Sequence, residues 1–200
     1  MTRPPLVLAS ASATRAALLA RAGVAVTVDA AAIDEREIKA AFRKAHNDVA
    51  GCAMTLAQTK AVCVARRHPD ALVIGADQML ACGGDWFDKP GSLAEARRHL
   101  EALRGKMHEL VTAAVAVRGE RVLWRHAERL RLVMRGFSEA FLDDYLASVG
   151  DDALTSVGAY QLEGRGAQLF SRVEGDYFSI LGLPLLALLD FLRAQGVVIQ

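Results

Sequence analysis

The stretch "ALVIGADQML", residues 71 to 80, limits the fold more than any other part of the chain. It is a β-branched apolar run that closes on an acid and offers no polar face to water, so it reads as a strand covered on both sides. Strands of that kind belong to parallel sheets, and parallel neighbours need crossover connections, usually helices. The rest of the chain therefore has to supply helices that flank a sheet, which makes the fold class α/β. In this reading Asp77 lies just past the carboxyl end of a central strand, the side on which open α/β sheets bind ligands.

The opening stretch, "PLVLASASATRAALLARAG", follows the same plan: a short strand over Leu6 to Ala9, a Ser/Ala turn and a leucine-bearing helix. Val24 to Val28 reads as a second strand, and Asp48 to Arg67 as a longer helix stopped by Pro69. After the turn at Gly83 and Gly84, Ser92 and Glu95 form a capping box for a helix ending at Gly105. "HELVTAAVAV" and "RVLWRHAERLRLVM" read as strands, and "SEAFLDDYLASVG" as a helix. "GAQLFSRVEG" and "YFSILG" read as two further strands, before a last helix opened by Pro184. There is no repeat, low-complexity tract or linker, so residues 1–200 read as a single domain.

At 52% hydrophobic and 24% charged, the chain has the make-up of an ordinary globular protein. Its formal net charge of +1 gives no broad footprint for nucleic acid or an anionic membrane, so any anion recognition is local. The three cysteines, Cys52, Cys63 and Cys82, include no C-x-x-C pair, which argues against a disulfide framework or a cysteine zinc site and fits a reducing cytoplasm. No apolar stretch has transmembrane length, and the apolar run near the start is too short for a signal peptide.

Several common chemistries lack their motifs. The chain has no G-x-x-x-x-G-K-[ST], no G-x-S-x-G and no H-E-x-x-H, and "GRGAQL" lacks the third glycine of a dinucleotide fingerprint. His108, at the head of a strand, reads as structural. What remains is a set of charges in unusual places. With Ser12 as N-cap, Arg15 falls in the first helical turn, where the helix dipole disfavours a cation, yet Leu18 and Leu19 place it at the mouth of the apolar face. It either snorkels along leucines or meets an anion. Lys60 poses the same choice, sharing a stripe with Leu56, Cys63 and Val64. Lys89 is a third cation, held between Asp88 and Pro90. Ser10, like Asp77, follows an apolar strand. Asp34-Glu35 is either a solvated acidic turn or, with Asp77, a carboxylate set suited to a polyphosphate and its divalent ion.

The motifs "LASASATRAALL", "IDE", "LAQTKA", "VIGADQ", "DKP", "LRGKMHELVTA" and "GAYQLEGRGAQLFSRVEGDYFSILGLPL" resemble, in this order, those of the Maf family of nucleoside triphosphate pyrophosphatases. The resemblance covers nearly the whole chain. It implies an elongated fold with a curved mixed sheet flanked by helices and a central nucleotide-binding cleft, like that of inosine triphosphate pyrophosphatases, and often a homodimer. It further implies hydrolysis dependent on Mg²⁺ or Mn²⁺ that yields a nucleoside monophosphate and pyrophosphate. By motif, Asp77 would be the general base, Ser10, Arg15, Lys60 and Lys89 would hold phosphates, and Glu35 with Asp77 would hold the metal. Two departures stand out. Ala13-Thr14-Arg15 replaces the Pro-Arg-Arg of many members, and Ser156 replaces a lysine.

The resemblance also gives a base-selecting trio, here Thr14, Gln78 and Glu163. Gln and Glu at the second and third places resemble the branch acting on 7-methyl-GTP, and a carboxylate suits the neighbouring N1–H and N2–H₂ donors of guanine. The branch acting on dTTP and UTP remains the alternative, because "SVGAYQ" keeps that branch's tyrosine. A nucleotide-binding regulator linked to septum formation, without turnover, is a further alternative.

Overall fold

The structure, a computed structural model, describes residues 4–45 and 48–199; residues 1–3, 46–47 and 200, the ends of the expected 1–200 domain among them, lie outside the described residues. The elements run β1 (Leu6–Leu8), α1 (Ala13–Arg21), β2 (Thr27–Val28), α2 (Glu35–Ala45), α3 (Val49–Ala65), β3 (Leu72–Cys82) and β4 (Asp85–Phe87). They continue with α4 (Leu93–Leu103), β5 (Met107–Arg118), β6 (Arg121–Met134), α5 (Glu139–Val149), β7 (Phe170–Glu174), α6 (Tyr177–Ile180) and α7 (Leu185–Ala194). The fold is α/β, with a mixed seven-stranded sheet in the order β2-β1-β3-β5-β6-β7 and β4 paired to β3.

The chain groups into two compact units, Met1–Asp77 with Thr112–Glu128 and Tyr177–Gln200, and Gln78–Val111 with Arg129–Asp176. In the first, β1 pairs in parallel with β2 and with β3, Leu6 opposite Leu72 and Leu8 opposite Ile74. Leu8, Leu19, Leu72, Ile74, Leu188 and Leu192 are fully buried in its core. The Asp48 carboxylate caps α3 by accepting from the Ala50 N–H. Helix α3 lies so close to β3 that a Cβ on Gly75 would stand 2.1 Å from the Ala57 carbonyl oxygen. In the second unit β4 is antiparallel to β3, and β7 to β6. Helices α4 and α5 begin at Ser92 and Ser138, whose hydroxyls accept from the N–H groups of Glu95 and Phe141.

Helices α1, α3, α4, α5 and α7 and strands β5 and β6 appear where the sequence places them; the strand of Asp77 and four shorter elements do not. The strand carrying Asp77 continues to Cys82, because β4, too short to announce itself, pairs with Leu80 to Cys82. Asp77 is therefore inside the strand, beyond its parallel pairing with β1, which ends at Ile74. The second strand shrinks to Thr27–Val28, all that pairs with β1. Arg165–Leu169 winds as a 3₁₀ helix before β7, with Gly166 packed on the Gln161 backbone. "YFSILG" is a helical turn, not a strand: the Leu181 N–H donates to Tyr177 O, and the Ser179 carbonyl accepts from the buried Thr112 hydroxyl.

Candidate active site

Helix α1 starts as its sequence predicts, with the Ser12 hydroxyl accepting from the Arg15 N–H at 3.4 Å. The Arg15 side chain does not snorkel: the residue is 9% exposed and its guanidinium is tied to the protein. Its Nε donates to the Gly182 carbonyl at 2.7 Å, and its Nη1 to the Ser10 hydroxyl and the Ala76 carbonyl at 3.0 Å each. These bonds leave the Nη2 donors for another acceptor. Burial lowers the Arg15 pKa from its usual value, against the pull of Asp77 and Glu35. Arg15 thus joins the end of β1, the middle of β3 and the Gly182 turn, and brings Ser10 to the strand of Asp77.

Lys60 lies on the buried face of α3 with Leu56, Ala57, Ala61 and Val64. Its Nζ is 2.6 Å from Asp77 Oδ1 and 2.6 Å from Glu35 Oε1, so one ammonium bridges two carboxylates. The missing Cβ of Gly75 lets α3 approach close enough for that contact. Asp77 is 5% exposed, and its Oδ2 is buried with no hydrogen-bond partner among the described residues. Burial pushes the Asp77 carboxyl above the usual carboxylate range, although Lys60 and Arg15 pull it down. Glu35, at the start of α2, is more open. Burial would raise it too, but its bond to Lys60 and the charges of Lys60, Lys39 and Arg15 hold it below the usual range. Its neighbour Asp34 is the helix cap, accepting from the N–H groups of Arg36 and Glu37.

Of the residues picked out from the sequence, Ser10, Arg15, Glu35, Lys60 and Asp77 are together in the first unit. Thr14 is exposed on α1 of that unit. Gln78, Lys89 and Glu163 belong to the second. There Lys89 is exposed in a turn pinned at Gly91, whose N–H donates to Glu95 Oε2 at 2.8 Å. The predicted capping box is thus present on its Ser92 side, with the glutamate reaching one residue further back than Ser92. Gln78 is half-buried within β3, and Glu163 is exposed. His108 is structural: it is buried, hydrogen-bonded to the Tyr160 hydroxyl at 2.9 Å, and burial lowers its pKa to about 4. Sequence reasoning missed the part of Gly182, Ala76 and Gly75. The glycines of "VIGADQ" and "ILGLPL" are the signal that was available.

A metal fits this donor set in one way. Among the described residues no group of three or more His, Cys, Asp and Glu side chains could hold an ion. Glu35 and Asp77 do converge on a single cation, and Asp77 keeps an oxygen in reserve. Two carboxylates completed by substrate phosphates is a usual arrangement for Mg²⁺.

Residues 5–195 match the family described as Maf-like protein. The chain is 57% identical over 190 residues to a nucleoside triphosphate pyrophosphatase of Paramagnetospirillum magneticum, covering 95% of this chain and 98% of that protein. It is 50% identical to a 7-methyl-GTP pyrophosphatase of Rhizobium meliloti, with 98% of each covered. A nucleoside triphosphate pyrophosphatase of Rhodospirillum rubrum is also 50% identical, again with 98% of each covered.

Proposed function

The chain belongs to the Maf-like family, and from that premise we propose that it hydrolyses a nucleoside triphosphate to the monophosphate and pyrophosphate. The observation that carries this reading is the convergence of Lys60 on Asp77 and Glu35 beside the buried Arg15. Cations that offset phosphate charge and a carboxylate that accepts a proton are what such a hydrolysis needs. Asp77 is the general base. Its burial makes the carboxylate a better proton acceptor than an exposed aspartate, and Oδ2 is the atom left over to take the proton from water. The Nη2 donors of Arg15 and the Ser10 hydroxyl bind phosphate oxygens. Lys60 adds charge that grows in value as negative charge builds on the leaving pyrophosphate. Glu35 and Asp77 would hold Mg²⁺ or Mn²⁺, which would supply positive charge against the phosphates and make water more acidic.

The favoured substrate is a guanine nucleotide such as 7-methyl-GTP. Relatives at 47–50% identity carry that activity in their names, and Gln78 and Glu163 stand at two of the base-selecting positions. The tyrosine shared with the dTTP and UTP branch does not weigh against this choice. Tyr160 is buried, bonded to His108 and packed edge-on against Phe170 at 4.8 Å, which makes it a core residue. Among the described residues no helix is long and apolar enough to cross a membrane. The three free cysteines suit a cytoplasmic setting.

The test is pyrophosphate release with 7-methyl-GTP, GTP, dTTP and UTP, in Mg²⁺ and in Mn²⁺. The expected order of kcat/KM puts 7-methyl-GTP first, and a clear dTTP or UTP preference overturns the base assignment. Asp77→Asn should lower kcat by about 10²- to 10⁴-fold, the usual worth of a general base, while triphosphate binding persists. Unchanged turnover in that variant would remove Asp77 from the mechanism.

A further inference from the structure

The bridge at Lys60 has a geometry that phosphate binding alone does not call for. Its Nζ is equidistant, at 2.6 Å, from one oxygen of each carboxylate that would hold a divalent ion. Two carboxylates drawn together repel, and burying them uncompensated is costly, so the pocket needs a cation whether or not a metal is present. We infer that Lys60 is the resident cation of the metal position in the free protein, and that it gives up this place to an incoming metal, most readily when the triphosphate arrives with it. This inference rests on the pyrophosphatase reading.

Three arguments support the exchange. The ammonium sits on a flexible four-carbon stem, so Nζ can move while the helix stays in place. The incoming triphosphate supplies new acceptors for Nζ, and the metal supplies the positive charge the carboxylates lose. With Asp77 Oδ2 kept for the proton, the oxygen a metal takes is Oδ1, the one that Lys60 vacates. The protein would then bind metal poorly on its own and well as a metal–nucleotide complex, because the apparent affinity is reduced by the fraction of molecules whose site is open.

Direct Mn²⁺ titration, read by the loss of the free-ion paramagnetic resonance signal without nucleotide, tests this. Lys60→Met should bind Mn²⁺ about tenfold tighter than wild type, the gain expected if Lys60 closes the site nine-tenths of the time. Adding Glu35→Gln should cancel the gain. Equal affinity of Lys60→Met and wild type overturns the inference. Since a variant that strips the carboxylates of their partner can fail to fold, the wild type provides a second readout. Acylation of Lys60 by an amine-reactive ester, followed by mass spectrometry, should be slow in the free protein and rise severalfold at saturating Mn²⁺. Labelling that does not respond to Mn²⁺ overturns it as well. Turnover of the triphosphate panel by the same wild-type protein separates the two ideas. Hydrolysis without a Mn²⁺ response sinks the exchange alone, and no hydrolysis sinks the pyrophosphatase reading itself.

Discussion

Arg15 spends much of its hydrogen-bonding capacity on its own protein. Two backbone carbonyls and a serine hydroxyl take three of its donors, so it works as a strut before it works as a clamp. A lysine has the charge but not the planar fork, and cannot serve Gly182, Ala76 and Ser10 together. Arg15→Lys should therefore lower stability by about 1–3 kcal/mol in urea unfolding, the cost of leaving a buried acceptor unmet. Affinity for triphosphate should fall with it. Arg15→Lys with unchanged stability would show that the three bonds do not hold the unit together. The oddity of Arg15 was legible in the sequence, since a cation in a helix's first turn asks for an explanation. The explanation itself was not, because the carbonyl it serves lies 167 residues away and nothing local encodes that pairing.

Among the elements, α3 and β3 decide whether the charges meet. Gly75 is the point of closest approach, and its hydrogen is replaced at a price: a methyl there overlaps the Ala57 carbonyl and the Ala61 backbone nitrogen. Gly75→Ala should push the helix outward, costing roughly 1–3 kcal/mol as overpacking does. It should also raise KM for the nucleotide, since Lys60 moves with the helix. Calorimetry and steady-state kinetics read the two effects separately. Helices were the most legible elements, because Ser12, Asp48, Ser92 and Ser138 mark their starts in side-chain chemistry that acts over two or three residues. The strand misread at "YFSILG" shows the opposite case. An apolar run of six residues is compatible with either state, and the Thr112 hydroxyl that donates to its Ser179 carbonyl belongs to a distant strand. Strand β4 escaped notice for a related reason, three residues being too few to carry a period.

For the molecule as a whole, acidity should be felt in two steps. His108 is lowered to about 4 by burial, whereas an unfolded histidine titrates near 6.5, so between those values the unfolded chain binds more protons than the folded one. Stability should fall as pH drops through that window, by about 3 kcal/mol, and level off below it. His108→Gln should flatten this part of the profile, as followed by urea unfolding at a series of pH values. Asp29, held to about 2 by its bonds to Arg67 and His68, acts later. Its contribution is complete above the ordinary aspartate range and is lost as pH falls toward 2, so Asp29→Asn should lower the profile evenly above that range and change its slope only at the acid end. The link between Arg15 and Gly182 also has a temporal side. A ribosome releases the chain from its amino terminus, and helix α1 emerges long before the carbonyl that steadies its arginine. Until translation is nearly complete, Ser10 and Ala76 can hold the Nη1 of this arginine, but its Nε lacks the carbonyl it serves in the finished chain. A message truncated shortly before the codon for Gly182 would thus encode Arg15 without the last of the three bonds that fix it.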